Sequence, residues 1–158
     1  MEREIDVYVG PGLDGKREAA WRELITAHAT VMEKIERALH EAGLPPLGWY
    51  DVLLELSAAP DCRLRMHELA RAVVLSRSGL TRLVDRLEEA GLLRREPDPS
   101  DRRGAFAVLT DEGRDMLRRM WPVYAAGIAE HFGRHISDEE AHALTEALSR
   151  VLAANRED

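Results

Sequence analysis

The sequence predicts a mainly α-helical fold carrying one small β-hairpin, and three observations support that prediction. Apolar residues recur at helical spacing along most of the chain. Glycines and prolines end most of these stripes. One Pro/Gly/Asp-rich stretch, residues 97–104, is flanked on both sides by short segments of strand-like pattern.

Along residues 16–42 the apolar positions are Ala20, Trp21, Leu24, Val31, Met32, Ile35, Leu39 and Ala42, with His28 on the same stripe. This is a helix of about seven turns, stopped by Gly43, Pro45 and Pro46. A helix that long in a small protein invites a partner chain. Ahead of it, residues 1–15 alternate at Ile5, Val7 and Val9 and then turn glycine-rich, which reads as a flexible arm, with an edge strand borrowed from a partner as the alternative. A second helix over 48–57 turns Trp49, Val52, Leu53 and Leu56 inward, and residues 62–65 suffice only for a short strand. Residues 66–73 form a short helix through Leu69, Ala70 and Val73. A tight turn at 74–76, with Ser76 as N-cap, leads into a helix over 77–90 that Gly91 ends. Its inner face is Leu80, Leu83, Val84 and Leu87. Residues 92–96 and 105–109 are the hairpin strands, and 97–104 their loop. Thr110, followed by Asp111 and Glu112, starts a helix to about His135, in which Pro122 removes one backbone bond. Ser137 and Glu140 have capping-box spacing before a last helix lined by Leu144, Leu148, Val151 and Leu152.

The 158 residues carry a net charge of −7, which argues against indiscriminate binding to nucleic acid or membrane. That charge is unevenly placed. Residues 63–103 hold ten arginines against seven acids, a net of +3, while the remainder holds 12 basic and 22 acidic residues, a net of −10. Cys62 is the single cysteine, so no intrachain disulfide forms and a reducing cytoplasm is the expected home. No apolar run reaches the roughly 20 residues of a membrane span.

Helix, tight turn, helix and hairpin, in the one positive segment, is the order of a winged helix-turn-helix. The major groove of B-DNA admits one helix that is apolar on one side and hydrogen-bonding on the other. With the leucines of 77–90 facing in, Ser78, Arg82, Asp85 and Glu89 face out, flanked by Thr81 and Arg86. The N-terminal half therefore offers hydroxyls and guanidiniums to bases and phosphates.

Other constellations are weaker. His131 and His135 lie four apart with His142 nearby, but no convincing third ligand accompanies them, and no metal or other cofactor is expected. Ser76 and Ser78 lack an ordered base, and no glycine-rich phosphate loop occurs, so no enzymatic site is expected.

The stretch LSRSGLTRLVDRLEEAGLLRREPDPSDRRGAFAVLTDEG, residues 75–113, resembles the signature region of the MarR family of regulators. The resemblance implies a homodimer with intertwined helices: 16–46 and 110–158 for dimerisation, 47–109 as the DNA-binding lobe. It implies a recognition helix contacting double-stranded DNA through Ser76, Arg77, Ser78, Thr81, Arg82, Asp85 and Arg86. It also implies a wing element matched by Asp101, Arg102 and Arg103, with Arg103 entering the minor groove and Asp101 holding it. Trp21, His28, Trp49 and Tyr50 lie on helices that line a small aromatic- or anion-binding cavity in the family; core packing is the plainer role for Trp49. The function so implied is a ligand-responsive repressor on an inverted-repeat operator, its half-sites about 34 Å apart. Two alternatives stand beside it: a sequence-tolerant architectural DNA binder, and a peroxide- or thiol-sensing regulator using Cys62. The sensing branch of the family keeps its cysteine near the start of the first helix, where this chain has none.

Overall fold

The computed structural model describes residues 12–73 and 77–156. Among the described residues, six α-helices and a three-stranded sheet follow in the order α1 (Gly15–Glu41), α2 (Leu47–Ala58), β1 (Arg63–Arg65), α3 (Met66–Ala72), α4 (Arg77–Glu89), β2 (Leu93–Asp98), β3 (Asp101–Leu109), α5 (Asp111–His131) and α6 (Asp138–Ala154). The strands are antiparallel with spatial order β1-β3-β2. Among the described residues, no helix is long and apolar enough to cross a membrane.

Helix ends follow local chemistry. Asp14 caps α1 by accepting from the Arg17 amide, and Ser137 and Glu140 satisfy each other's backbone N–H at the start of α6. The start of α2 has no cap from its own sequence. Instead the Glu36 carboxylate, eleven residues earlier on α1, accepts from the Leu47 amide at 3.0 Å. The expected cap at Ser76 and residues 1–11 of the expected arm lie outside the described residues, and the arm's last residue, Gly15, already begins α1. The helix expected to reach about His135 stops at His131, where Phe132 leaves helical geometry and a separate 3₁₀ turn covers Gly133–His135. Gly133 interrupts the helical preference there.

The hairpin differs more. Its expected eight-residue loop, 97–104, is mostly strand: Pro97 pairs with Ala105, and Asp98 with Asp101. Pro97 is tolerated because β2 is an edge strand, where a missing N–H leaves no neighbour unsatisfied. Between those two pairs the register jumps, so Arg102, Arg103 and Gly104 have no partner across the ladder and form a bulge.

Two apolar clusters hold the chain. Val52, Leu53, Leu56, Leu69, Leu80, Val84, Leu87, Leu93, Ala107 and Leu109 are among those that fill the lobe under the sheet. Ile35, Leu39, Leu47, Tyr50 and Met120 join α1, α2 and α5. α2 supplies both clusters, and Met116 and Leu117 of α5 touch both, so these two helices set the angle between lobe and helical body.

Thr110 ties the ends of two helices together. Its hydroxyl accepts from the Gly113 amide at 3.1 Å and donates to the Gly91 carbonyl at 2.7 Å, just past α4, where φ is +76°. Thr110→Ala should therefore cost about 1–2 kcal/mol, read as a lowered denaturant midpoint with an unchanged slope.

Candidate nucleic-acid interface

The outward face of α4 follows from its buried one. Leu80, Val84 and Leu87 are buried, Leu83 half-buried, and Thr81, Arg82, Asp85 and Arg86 exposed. Arg77 and Ser78 form the first turn; their side chains, like Ser76, lie outside what the structure describes.

Asp85 has a partner in the lobe itself. Arg95 on β2 donates to Asp85 Oδ1 at 2.5 Å and to Glu88 Oε1 at 2.9 Å, and its amide donates to Glu88 Oε2 at 2.6 Å. Burial works against the Arg95 charge, but the two carboxylates outweigh it and raise its pKa above the ordinary arginine value. Arg95 thus clamps α4 to the sheet. Strand alternation was the available signal, because Arg95 shares the inner face with buried Leu93.

The positive segment divides by role. Arg63 and Arg94 approach Glu96 at 3.9 and 3.0 Å. Arg65 bonds Asp98, and the Arg63 and Arg65 guanidiniums lie 4.4 and 4.9 Å from the centre of the Phe106 ring. Among the described residues, Arg71, Arg86, Arg102 and Arg103 form no ion pair. Two of these four, Arg102 and Arg103, are exposed bulge residues of the wing without a partner across the ladder.

Asp101 holds Arg103 differently from the expectation. Its carboxylate accepts from the Arg103 backbone amide at 3.0 Å, and no ion pair with the guanidinium forms. An Asx-type turn thereby shapes the bulge and leaves the arginine head unengaged.

The wing tip is anchored by a residue sequence reasoning missed. Asp98 is the one buried charged residue among the described residues. Its Oδ1 accepts from the Ser100 amide at 2.9 Å and hydroxyl at 2.7 Å, and its Oδ2 accepts from Arg65 Nε at 2.8 Å. These bonds, Ser100 foremost, hold its pKa at about 2, against an ordinary 3.8. Because the folded value is the lower one, ionised Asp98 favours the fold above the ordinary carboxylate range, and that contribution disappears as pH falls through 2. Acid titration followed by circular dichroism should show a component between about pH 4 and 2 that Asp98→Asn lacks.

Between α3, the start of α4 and the wing lies a cleft of about 650 Å³, lined in part by Arg65, His67, Thr81, Asp101 and Arg103. It joins the exposed face of α4 to the wing.

The four residues expected at an effector cavity are not brought together within one chain. Trp21 is 62% exposed and His28 is exposed on α1, Trp49 packs on the lobe core, and Tyr50 enters the other cluster. There Tyr50 stacks on Trp121 with centroids 6.3 Å apart and meets Tyr124 edge-on at 5.2 Å. Half-buried Cys62 accepts from Arg114 Nη2 at 2.9 Å, in a turn where Asp61 and Cys62 both have positive φ. His135 lies 3.2 Å from the Glu130 carbonyl, and His142 lies 3.6 Å from Glu146.

Known proteins share this fold. A family model described as MarR family matches residues 42–104, which span the lobe and the wing bulge. The HTH-type transcriptional regulator MhqR of Bacillus subtilis is 33% identical over 128 residues, covering 81% of this chain and 86% of that protein. Sco3205, a MarR family transcriptional regulator from Streptomyces coelicolor solved in complex with DNA, aligns over 92% of both chains with TM-score 0.82 and 34% identity. AbsC, a MarR family regulator of the same organism, aligns over 90% of this chain and 95% of its own with TM-score 0.79 and 34% identity. These relatives are regulators, not enzymes, and the chain belongs with them: it is a member of the MarR family of transcriptional regulators.

Proposed function

We propose that this chain is a cytoplasmic, homodimeric, ligand-responsive repressor that reads an inverted-repeat operator in double-stranded DNA. The observation that carries the DNA reading is the bulge: Arg102 and Arg103 stand unpaired at the wing, across a cleft from the exposed face of α4. In this reading Arg77, Ser78, Thr81, Arg82 and Arg86 meet bases and phosphates in the major groove, with Ser76 at the helix entry. Arg103 enters the adjacent minor groove, with Arg102 on a phosphate. Asp85 acts through Arg95, fixing how far α4 projects.

Support for a second copy comes from what one chain leaves uncovered. Trp21, Leu24, Ile25, Trp121, Phe132, Val151 and Leu152 are exposed, and α6 has no buried residue despite its apolar stripe. These lie on α1, α5, α6 or the turn after α5, whereas Leu54, also exposed, lies on α2. The helical body 16–46 and 110–158 is thus the dimerisation unit, and 47–109 the reading lobe. An aromatic or anionic effector would act at the joint, against Trp49 and Tyr50, with Trp21 and His28 joining only where the partner subunit brings them. It shifts the lobe angle to the extent that it binds one conformation more tightly.

The test is selection from a randomised duplex pool, with the mass of the selected complex measured by sedimentation. The proposal expects two chains per duplex and an inverted repeat with half-sites one helical turn apart. A pool that stays random after selection would favour the architectural alternative.

A further inference from the structure

We propose that Asp98 is a positioning residue that locks the wing to the helix-turn-helix and so fixes where Arg103 meets DNA; this rests on the DNA reading above.

A carboxylate with a side chain only 3% exposed at a hairpin tip is unfavourable unless its oxygens are satisfied. Here both are, and by partners on two different structures. Ser100, on the tip itself, donates twice to Oδ1. Arg65, outside the hairpin, donates to Oδ2.

Arg65 is unusually well fixed for an arginine. It is the last residue of β1, paired with Phe106, and the residue from which α3 starts. Its amide donates to Glu68 Oε2 at 2.8 Å, and its guanidinium lies over the Phe106 ring. Asp98 therefore anchors the tip to the point where sheet and helix-turn-helix meet. Across the ladder its pairing partner is Asp101, whose carboxylate holds the Arg103 amide. One continuous route runs from Arg65 through Asp98 and Asp101 to Arg103. Asp101 shapes the bulge, and Asp98 sets where the shaped bulge sits relative to α3 and α4.

The charge is needed as well as the shape. An asparagine at 98 can still accept from Ser100 through its oxygen, but its amide then presents N–H to the Arg65 Nε–H. Donor faces donor, and the tip is released while the hairpin ladder remains.

The experiment is a double-mutant cycle on the full-length protein. Wild type, Asp98→Asn, Arg103→Ala and the double variant are titrated by fluorescence anisotropy against a duplex that wild type has selected from a random pool. Thermal unfolding of each variant is recorded in parallel. Positioning predicts that Asp98→Asn weakens binding about tenfold alone and less than about twofold once Arg103 is alanine, because the residue it places is gone. Equal losses in both backgrounds, or no loss in either, overturn the proposal. Should Asp98→Asn not fold, Ser100→Ala removes only the hydroxyl bond. It should give a smaller loss confined to the Arg103 background, and a loss in both backgrounds again overturns the proposal. If Arg103→Ala binds as tightly as wild type, the DNA reading of the wing falls first, and the lock falls with it.

Discussion

Replacing Arg103 with alanine lowers affinity for the selected duplex by about 10–100-fold and reduces the slope of log affinity against log salt by about one. The effect belongs to binding rather than folding, because the Arg103 guanidinium forms no ion pair among the described residues and the side chain is exposed. Its melting temperature should match wild type within a degree or two. Arg94→Ala is the control. Arg94 is also exposed and also lies in the positive segment, but it pairs with Glu96 at 3.0 Å within the regular ladder. Its loss should weaken binding by less than about threefold. Equal losses for the two variants would mean that the segment acts as diffuse charge, and that the bulge has no special place.

Gly113→Ala should lower stability by about 3 kcal/mol or more, which for a chain of this size is a fall in melting temperature of about 10 °C. Helix propensity alone predicts the opposite sign, since alanine inside a helix gains about 1 kcal/mol over glycine. Packing decides. A Cβ at position 113 would sit 2.1 Å from the Leu92 carbonyl oxygen and 2.6 Å from Leu109 Cδ1. The first of these is backbone, pinned between the end of α4 and the start of β2, and cannot rotate away. Gly127 makes a useful comparison. Its Cβ would meet Ile35 Cγ1 at 2.6 Å, a side-chain atom rather than backbone, although Ile35 is itself buried. Gly127→Ala should therefore cost less than Gly113→Ala in thermal unfolding at matched protein concentration.

What was legible in the sequence and what was not divides along the range of the interactions. Caps within three residues were readable: Thr110 before Asp111, and Ser137 with Glu140. So was the inner face of α4, because leucine spacing at Leu80, Val84 and Leu87 reports burial directly. The Glu36 cap on Leu47 was not readable, since it joins residues eleven apart on different helices. The wing shows the same limit. Its prolines and glycine marked a turn correctly, but Pro97 and Gly104 proved to be strand and bulge positions, because an edge strand can spare an N–H. The pattern Asp-x-Arg pointed to Asp101 holding the Arg103 side chain; Asp101 bonds the Arg103 backbone amide instead. Nothing local distinguished Asp98, whose partner Arg65 is 33 residues away. Arg95 was counted in the net positive charge of residues 63–103 and is occupied by Asp85 and Glu88. A charge count cannot tell a structural arginine from a free one; alternation with Leu93 can.

The most direct measurement of the central claim is competition at about 100 mM salt. Labelled selected duplex, held by wild-type protein, is displaced by unlabelled selected duplex or by a scrambled duplex of equal length and composition. The account predicts that the scrambled competitor must be added at about a thousandfold excess or more to displace the probe equally. Equal displacement by the two competitors would contradict it, and would make this fold a binder of DNA without a site to regulate.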